Sequence, residues 1–429
     1  MTATKELAAD PAARVGTAGW YGLTLLFLIF VANQIDRSAI SAVQEQVKRE
    51  FALTDGQLGL LTGVITGGVY GICIAPLAML ADRMNRRNLI AMVMMVWSLG
   101  TIACGLAGGF FSLALARGVV MGAESGGVPA STSLISDLFP PRRRASALAF
   151  YFVGASAGTT IAYLFAGAIA QDFGWRKAFW LAGAPGLVLA FVLLLTFREP
   201  KRGAMDDGES APASAHVGQA LRDMLANPPL LLLFLGGTLA TIAATVLSVW
   251  SISLLVRDHG MNLKQAGFVV AMTQGLISGI GMAATGPLTD WVSRGDPKGA
   301  LQVAAWTMVA STAAAVVFIL SPTSAVAIAG LAACGLVNRS YLGPMISAVV
   351  GLSDPGRRAL TVSVLNICTT CIGAGFGPYL AGKLSDAFGG AHSLQPAMLI
   401  TVMAYLPGAA LFVLAGALLR RRRISATDA

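Results

Sequence analysis

Charge is scarce in this 429-residue chain: Asp, Glu, Lys and Arg together make 12% of it, against roughly 25% in a soluble domain. That scarcity excludes a water-soluble globular protein. Histidine is scarcer, with His216, His259 and His392 all in connecting segments. Without clustered histidines, an H-E-x-x-H pattern, a P-loop or a convincing Ser and base pair, the sequence gives no support to a membrane enzyme or an ATP-driven pump, and no cofactor or metal is expected. The cysteines (Cys73, Cys104, Cys334, Cys368 and Cys371) are odd in number and fall inside apolar runs, which argues against a disulfide framework. Cys368 and Cys371 have no second pair to complete a metal site, so they read as packing residues. Barrel-type alternation is also missing, and with it the outer-membrane barrel. The polar start runs through Gly19 into an apolar stretch interrupted at residues 33–37, without a small-residue cleavage pattern, so the first span is expected to be retained.

What is present is hydrocarbon: 55% of residues are hydrophobic and the mean hydropathy is +0.71. A helix needs about 20 apolar residues to cross a bilayer. Punctuation by Gly, Pro and charge gives twelve such runs, at 20–42, 56–81, 88–107, 110–136, 145–170, 177–197, 229–256, 265–290, 300–320, 323–350, 358–382 and 396–419. The expected fold is an all-α membrane protein of twelve transmembrane helices in two pseudo-symmetric six-helix bundles. The divisions are a tail at 1–19, a first bundle at 20–197, a polar linker at 198–227, a second bundle at 228–419 and a tail at 420–429. The linker is too rich in Pro, Ala, Ser and charge to bury, and reads as flexible or surface-lying.

The formal net charge of +9 is a topology signal rather than a nucleic-acid surface. With both termini and the linker on one side, twenty of the thirty Lys and Arg fall on that side, seven on the other and three within spans. The bias predicts cytoplasmic termini in a cell inner membrane, and assigns residues 420–423 to the same signal.

The halves resemble each other at an offset of about 210 residues. Ala78-Met79-Leu80-Ala81-Asp82-Arg83 corresponds to Gly286-Pro287-Leu288-Thr289-Asp290-Trp291; the Asp137 to Ala145 stretch recurs as Ser353-Asp354-Pro355-Gly356-Arg357-Arg358-Ala359; Ala166-Gly167-Ala168-Ile169 matches Ala381-Gly382-Lys383-Leu384. Duplicated halves place a substrate at their interface.

Residues 78–87, read A-M-L-A-D-R-M-N-R-R, resemble the signature loop of the major facilitator superfamily, and Arg117-Gly118-Val119-Val120-Met121-Gly122 resembles a second signature of that family. Within it, Asn33-Gln34-Ile35-Asp36-Arg37, Gly122-Ala123-Glu124-Ser125 with Pro129, residues 133–140, Gly174-Trp175-Arg176 and Gly377-Pro378-Tyr379-Leu380 resemble the spinster-like lipid transporters. The resemblance implies a proton-driven, monomeric carrier of sphingoid or lysolipid phosphates, in contact with membrane lipids. Organic-anion symporters of the superfamily share a similar Asn-x-x-Asp-Arg, and Arg339 is not expected of the lipid carriers. A small carboxylate, or an uncoupled facilitator, therefore stays open as an alternative. The resemblance also makes Asp82 a gate latch among Arg83, Arg86, Arg87, Arg142, Arg143 and Arg144, with Asp290 as a weaker counterpart because Trp291 follows it.

Five ionisable residues fall inside apolar runs: Asp36, Arg37, Arg117, Glu124 and Arg339. At about 2.5–3.5 kcal/mol each, five facing lipid would cost on the order of 12–18 kcal/mol, more than a typical net stability of about 5–15 kcal/mol. They must face a water-filled cavity or one another. Arg117 and Glu124, two turns apart on one helix face, are separated by roughly 10 Å and need partners from another helix. Asp36 is the expected carboxylate for Arg117, and a carboxylate exchanging such a partner for an apolar setting could load and unload a proton. Asp36 and Glu124 are the expected proton carriers, tuned by Arg117. Arg339 is the expected anion site, with Arg37, Asn33, Tyr151, Asn338, Tyr341 and Asn366 as cavity-lining candidates and Tyr163, Trp250, Gln274 and Thr370 as weaker ones.

Overall fold

A computed structural model describes residues 16–205, 222–293, 297–353 and 357–427. Much of the linker, the first tail and the Asp354-Pro355-Gly356 part of the repeat lie outside the described residues, as do the side chains of Arg421, Arg422 and Arg423. Among the described residues, eleven helices are long and apolar enough to cross a membrane. In chain order with a twelfth they are α1 (Thr17–Phe51), α2 (Asp55–Arg83), α3 (Arg86–Gly105), α4 (Phe110–Glu124 then Gly127–Leu138), α5 (Pro141–Phe173), α6 (Trp175–Thr196), α7 (Pro228–Asp258), α8 (Leu263–Ser293), α9 (Pro297–Leu320), α10 (Ser324–Gly351), α11 (Leu360–Phe388) and α12 (Leu394–Arg420). The twelfth is α4, which carries Arg117 and Glu124.

Several helices outrun the expected spans. The first continues nine residues beyond position 42, because Val43 and Val47 stay buried while Lys48 and Arg49 occupy its last turn, where cations complement the helix dipole. Ala52, at φ 49°, ends it in the left-handed region. Thr54 and Gln57 then form a reciprocal capping box that starts α2.

Both α4 and α10 break in mid-membrane, α4 at Ser125–Gly126 and α10 across residues 338–341. The cause is local: Pro129 and Pro344 each follow a break, and a proline cannot donate to the carbonyl four residues back, here Ser125 and Ser340. These paired breaks add a repeat element, with Glu124 at one and Arg339 at the other. Three π-helical turns, Leu60–Val64 in α2, Ala271–Ile277 in α8 and Cys368–Ala374 in α11, rotate Thr62, Gln274, Thr369 and Thr370 toward the space between the bundles. Such turns cluster at functional sites.

Within the bundles α1 packs on α5 and α6, α3 on α6, and α12 on α7 and α9; between them α2 packs on α11 and α5 on α8. The two cross-bundle seams are backbone-close: a Cβ at Gly63 would lie 2.3 Å from the Gly375 carbonyl oxygen, and one at Gly267 2.5 Å from that of Tyr163. Small residues permit this approach. Among the described residues, every hydrogen bond between the bundles runs from mid-membrane to the face opposite the termini, for instance Gln44 to Ser253 at 2.7 Å and Tyr163 to the Ser248 carbonyl at 2.9 Å. The bundles thus meet at that face and part toward the termini.

The expected orientation has a direct check. A cysteine replacing exposed Ala204, at the start of the linker, should react with an impermeant thiol reagent in inside-out vesicles and not in intact cells. Labelling in intact cells would invert the topology.

Candidate functional site

A cavity of about 410 Å³ lies between the bundles, at the smaller end of ligand pockets (roughly 300–1,000 Å³). Arg37 and Gln34 of α1 enter it from one bundle, and Arg339, Tyr341 and Asn366 from the other. Among the described residues, twelve Ser and Thr side chains share its wall, and no Asp, Glu, Phe or Trp does. Arg37 stands over the Tyr70 ring, 5.2 Å from its centroid. Arg339 is exposed to the cavity and donates to Ser248 Oγ at 3.3 Å. Tyr341 reaches Thr241 at 3.0 Å.

Behind α1, out of the cavity, sit Asp36, Arg117 and Glu124, at most 2% exposed. Helical rotation of about 100° per residue separates Asp36 from Arg37, so adjacent residues face the bundle core and the cavity. Arg117 acts electrostatically on the Asp36 carboxylate, as expected, but the expected direct pairing is corrected by the geometry. Arg117 donates instead to the main-chain carbonyls of Asp36 at 3.2 Å and Arg37 at 3.4 Å. Those oxygens keep a second lone pair beyond their helical bonds. None of the four carboxylate oxygens of Asp36 and Glu124 has a hydrogen-bond partner. Thr101 lies beside Asp36, Asn33 beside Glu124, and Arg37 and Arg117 act electrostatically on Glu124.

Three expected cavity residues lie elsewhere. Asn33 is 7% exposed and turned toward Glu124. Tyr151 is 1% exposed and stacked on Phe30 at 4.6 Å. Asn338 is fully buried, donating to Gln274 at 2.8 Å and accepting from Tyr405 at 3.1 Å. It ties α8, α10 and α12 together, as a buried amide inside a membrane bundle is apt to do. Trp250 is also buried, held by the Pro378 carbonyl at 3.1 Å. Tyr163, Gln274 and Thr370 do reach the wall.

At the terminal face, Arg86 is not an open loop arginine. It is 1% exposed and donates to Asp137 at 2.5 Å and Glu199 at 2.9 Å. Arg87 donates to the Phe197 carbonyl at 3.1 Å, and Arg144 to the Ser136 carbonyl at 2.7 Å. Asp82, Arg83, Arg142, Arg143 and Asp290 are exposed, and among the described residues no ion pair joins Asp82 or Asp290 to another side chain.

The ion network between the bundles lies at the other face, in residues assigned from sequence to a loop. Arg257 of α7 donates to Glu45 of α1 at 2.7 Å and to Asp55 of α2 at 2.7 and 2.8 Å. Lys48 joins Asp55 at 2.5 Å, Ser385 of α11 donates to Asp55 at 2.7 Å, and Asp386 accepts from the main-chain N–H groups of Asp55 and Gly56 at 2.8 and 2.9 Å. The side chains of Glu45 and Asp55 are only 5% and 4% exposed. A carboxylate-rich turn beside a lone arginine after the seventh span was the available signal.

A cavity rich in hydroxyl groups, sealed at one face between two duplicated six-helix bundles, is the architecture of a membrane transporter rather than an enzyme. The chain belongs to the Major Facilitator Superfamily, whose model matches residues 26–378. It is 30% identical over 409 residues to an MFS-type efflux pump of Mycolicibacterium smegmatis, covering 94% of each chain. It is 24% identical over 403 residues to a probable L-galactonate transporter of Escherichia coli, covering 91% of this chain and 88% of that one. Among solved structures, a bacterial homolog of the human lysosomal transporter Spinster, inward-facing and unoccupied, is similar with a TM-score of 0.85 and 28% identity, covering 93% of this chain and 97% of that one.

Proposed function

We propose that the protein is a proton-coupled carrier of a small polyhydroxylated organic anion, acting as a monomer in the cell inner membrane with its termini in the cytoplasm. The observation that carries this reading is the cavity wall: among the described residues, two guanidiniums, twelve Ser and Thr hydroxyls and no carboxylate. Guanidinium forks suit a carboxylate, and hydroxyls suit a polyol. A lipid tail would call for a run of long apolar side chains, whereas Ile40, Met282 and Leu342 are the large aliphatic ones among the described wall residues. The likeness to a probable L-galactonate transporter supports the same class.

Coupling follows from the position of Arg37. It faces the cavity and acts on buried Glu124 behind it. An anion arriving at Arg37 competes with Glu124 for that guanidinium, and a proton on Glu124 or Asp36 removes the uncompensated buried charge. The network of Glu45, Asp55 and Arg257 is the outer gate, closed in this inward-facing arrangement. The exposed Asp82 and its neighbouring arginines form the inner latch when the bundles rock the other way.

Binding to purified protein, read as a rise in melting temperature, tests the substrate class. L-galactonate should stabilise the wild type, and a lysophosphatidate should not. Arg339→Lys should weaken galactonate by about threefold to tenfold, and Arg339→Ala by more, since charge-assisted hydrogen bonds contribute about 1.5–3 kcal/mol. Stabilisation by the lysolipid alone would return the protein to the lipid carriers.

A further inference from the structure

We propose that the cargo carries two negative groups, one at each end of a polyol, and that each bundle holds one of them. The inference rests on the reading of the cavity as a site for an organic anion and adds the number of charges. The two guanidiniums in the wall come from opposite bundles, Arg37 from α1 and Arg339 from α10; the described wall residues include no carboxylate, and the one acting on Arg37 is Glu124, buried behind it. Each guanidinium presents one planar fork, which one carboxylate occupies in bidentate fashion. A monoanion can satisfy one fork and leaves the other facing a cavity at membrane depth.

Charge accounting leads to the same number. The mid-membrane cluster comprises Asp36, Glu124, Arg37, Arg117 and Arg339. With both carboxylates ionised it carries one net positive charge, and each proton taken up adds another. Once a single proton is loaded, the cluster holds two net positive charges, which a dianion cancels and a monoanion does not. Net charge in a low-dielectric bundle is costly, so the proton-loaded carrier favours the dianion. A dianion bound at both ends also ties α1 to α10 across a cavity whose bundles part toward the termini. It would draw that face together, so loading itself would promote the change of access.

The test uses three probes that share one six-carbon polyol chain: galactarate with two carboxylates, galactonate with one, and galactitol with none. Titration calorimetry on the purified full-length protein, near neutral pH, should give galactarate about tenfold to a hundredfold tighter binding than galactonate, the usual return of one further charge-assisted contact. Galactitol should be weaker still. In Arg339→Gln both acids should weaken and the preference should collapse to within about threefold, because each is then left with the Arg37 fork alone. Arg339→Lys, which keeps charge without the fork, should retain part of the preference, and the melting curve of each variant checks that it is folded. Equal or tighter binding of galactonate by the wild type would overturn the two-ended cargo and leave the anionic-polyol reading standing. Binding of neither sugar acid, with a lysophosphatidate bound instead, would overturn that reading itself.

Discussion

Replacing Arg257 with Ala should open the face opposite the termini. This arginine alone bonds both Glu45 and Asp55 across the bundles, at 2.7 Å to each. Its loss leaves two largely buried carboxylates without their main partner, and breaking one side of a buried ion pair costs about 3–5 kcal/mol. In a two-state carrier each 1.4 kcal/mol changes the population ratio about tenfold, so the shift toward the outward-open state is on the order of a hundredfold or more. Spin labels at Asp172 and Ala391, exposed on opposite bundles at that face, should report a longer distance in the variant. Exchanging charges in Glu45→Arg with Arg257→Glu should recover part of the short-distance population. An unchanged distribution in Arg257→Ala would assign the gate to the glycine seams instead. Asp82→Asn should act in the opposite sense, because Asp82 is proposed to hold the other face closed. Combining it with Arg257→Ala should move the populations back.

The fold was legible because it rests on bulk properties. Apolar runs give the spans, and repeated motifs such as those around Asp82 and Asp290 give the duplication. What stayed hidden depends on rotation and on helix ends. Tyr151 and Tyr163 share α5 but are twelve residues apart, about 120° around the helix; the first packs on Phe30 and the second reaches the cavity. Composition alone does not separate them. The ion network of Glu45, Asp55 and Arg257 was hidden for another reason. A charged residue just beyond an apolar run reads as solvated, whereas Glu45 belongs to a helix that continues to Phe51 and meets its partner more than 200 positions away in the chain. Pairing across bundles is a property of the packed molecule. Arg117 shows the remaining limit: its need for a partner was evident, but whether a guanidinium takes a side-chain carboxylate or a main-chain carbonyl is decided by how two helices sit against each other.

The same rotation makes the proposed proton site separable from the proposed cargo site, and Glu124→Gln should expose that separation. Glutamine keeps the size of the side chain and cannot exchange a proton, so the buried cluster is held permanently neutral at this position. In proteoliposomes with one pH unit across the membrane, a carrier moving one proton per substrate can accumulate that substrate about tenfold beyond what its own charge and the membrane voltage allow. The variant should lose that proton-driven excess and approach a concentration ratio of one for a clamped voltage. Exchange of labelled for unlabelled substrate should persist, because Arg37 and Arg339 still line the cavity. Asp36→Asn should behave similarly, and the double variant should show no dependence of uptake on the pH gradient. Arg339→Ala should give the converse pattern, losing affinity while the remaining transport stays coupled to protons. Full pH-driven uptake in the Asp36→Asn, Glu124→Gln double variant would remove both carboxylates from the proton path. An Arg339→Ala protein with wild-type affinity but no pH dependence would place that arginine in the proton network and leave Arg37 as the only guanidinium at the cargo site.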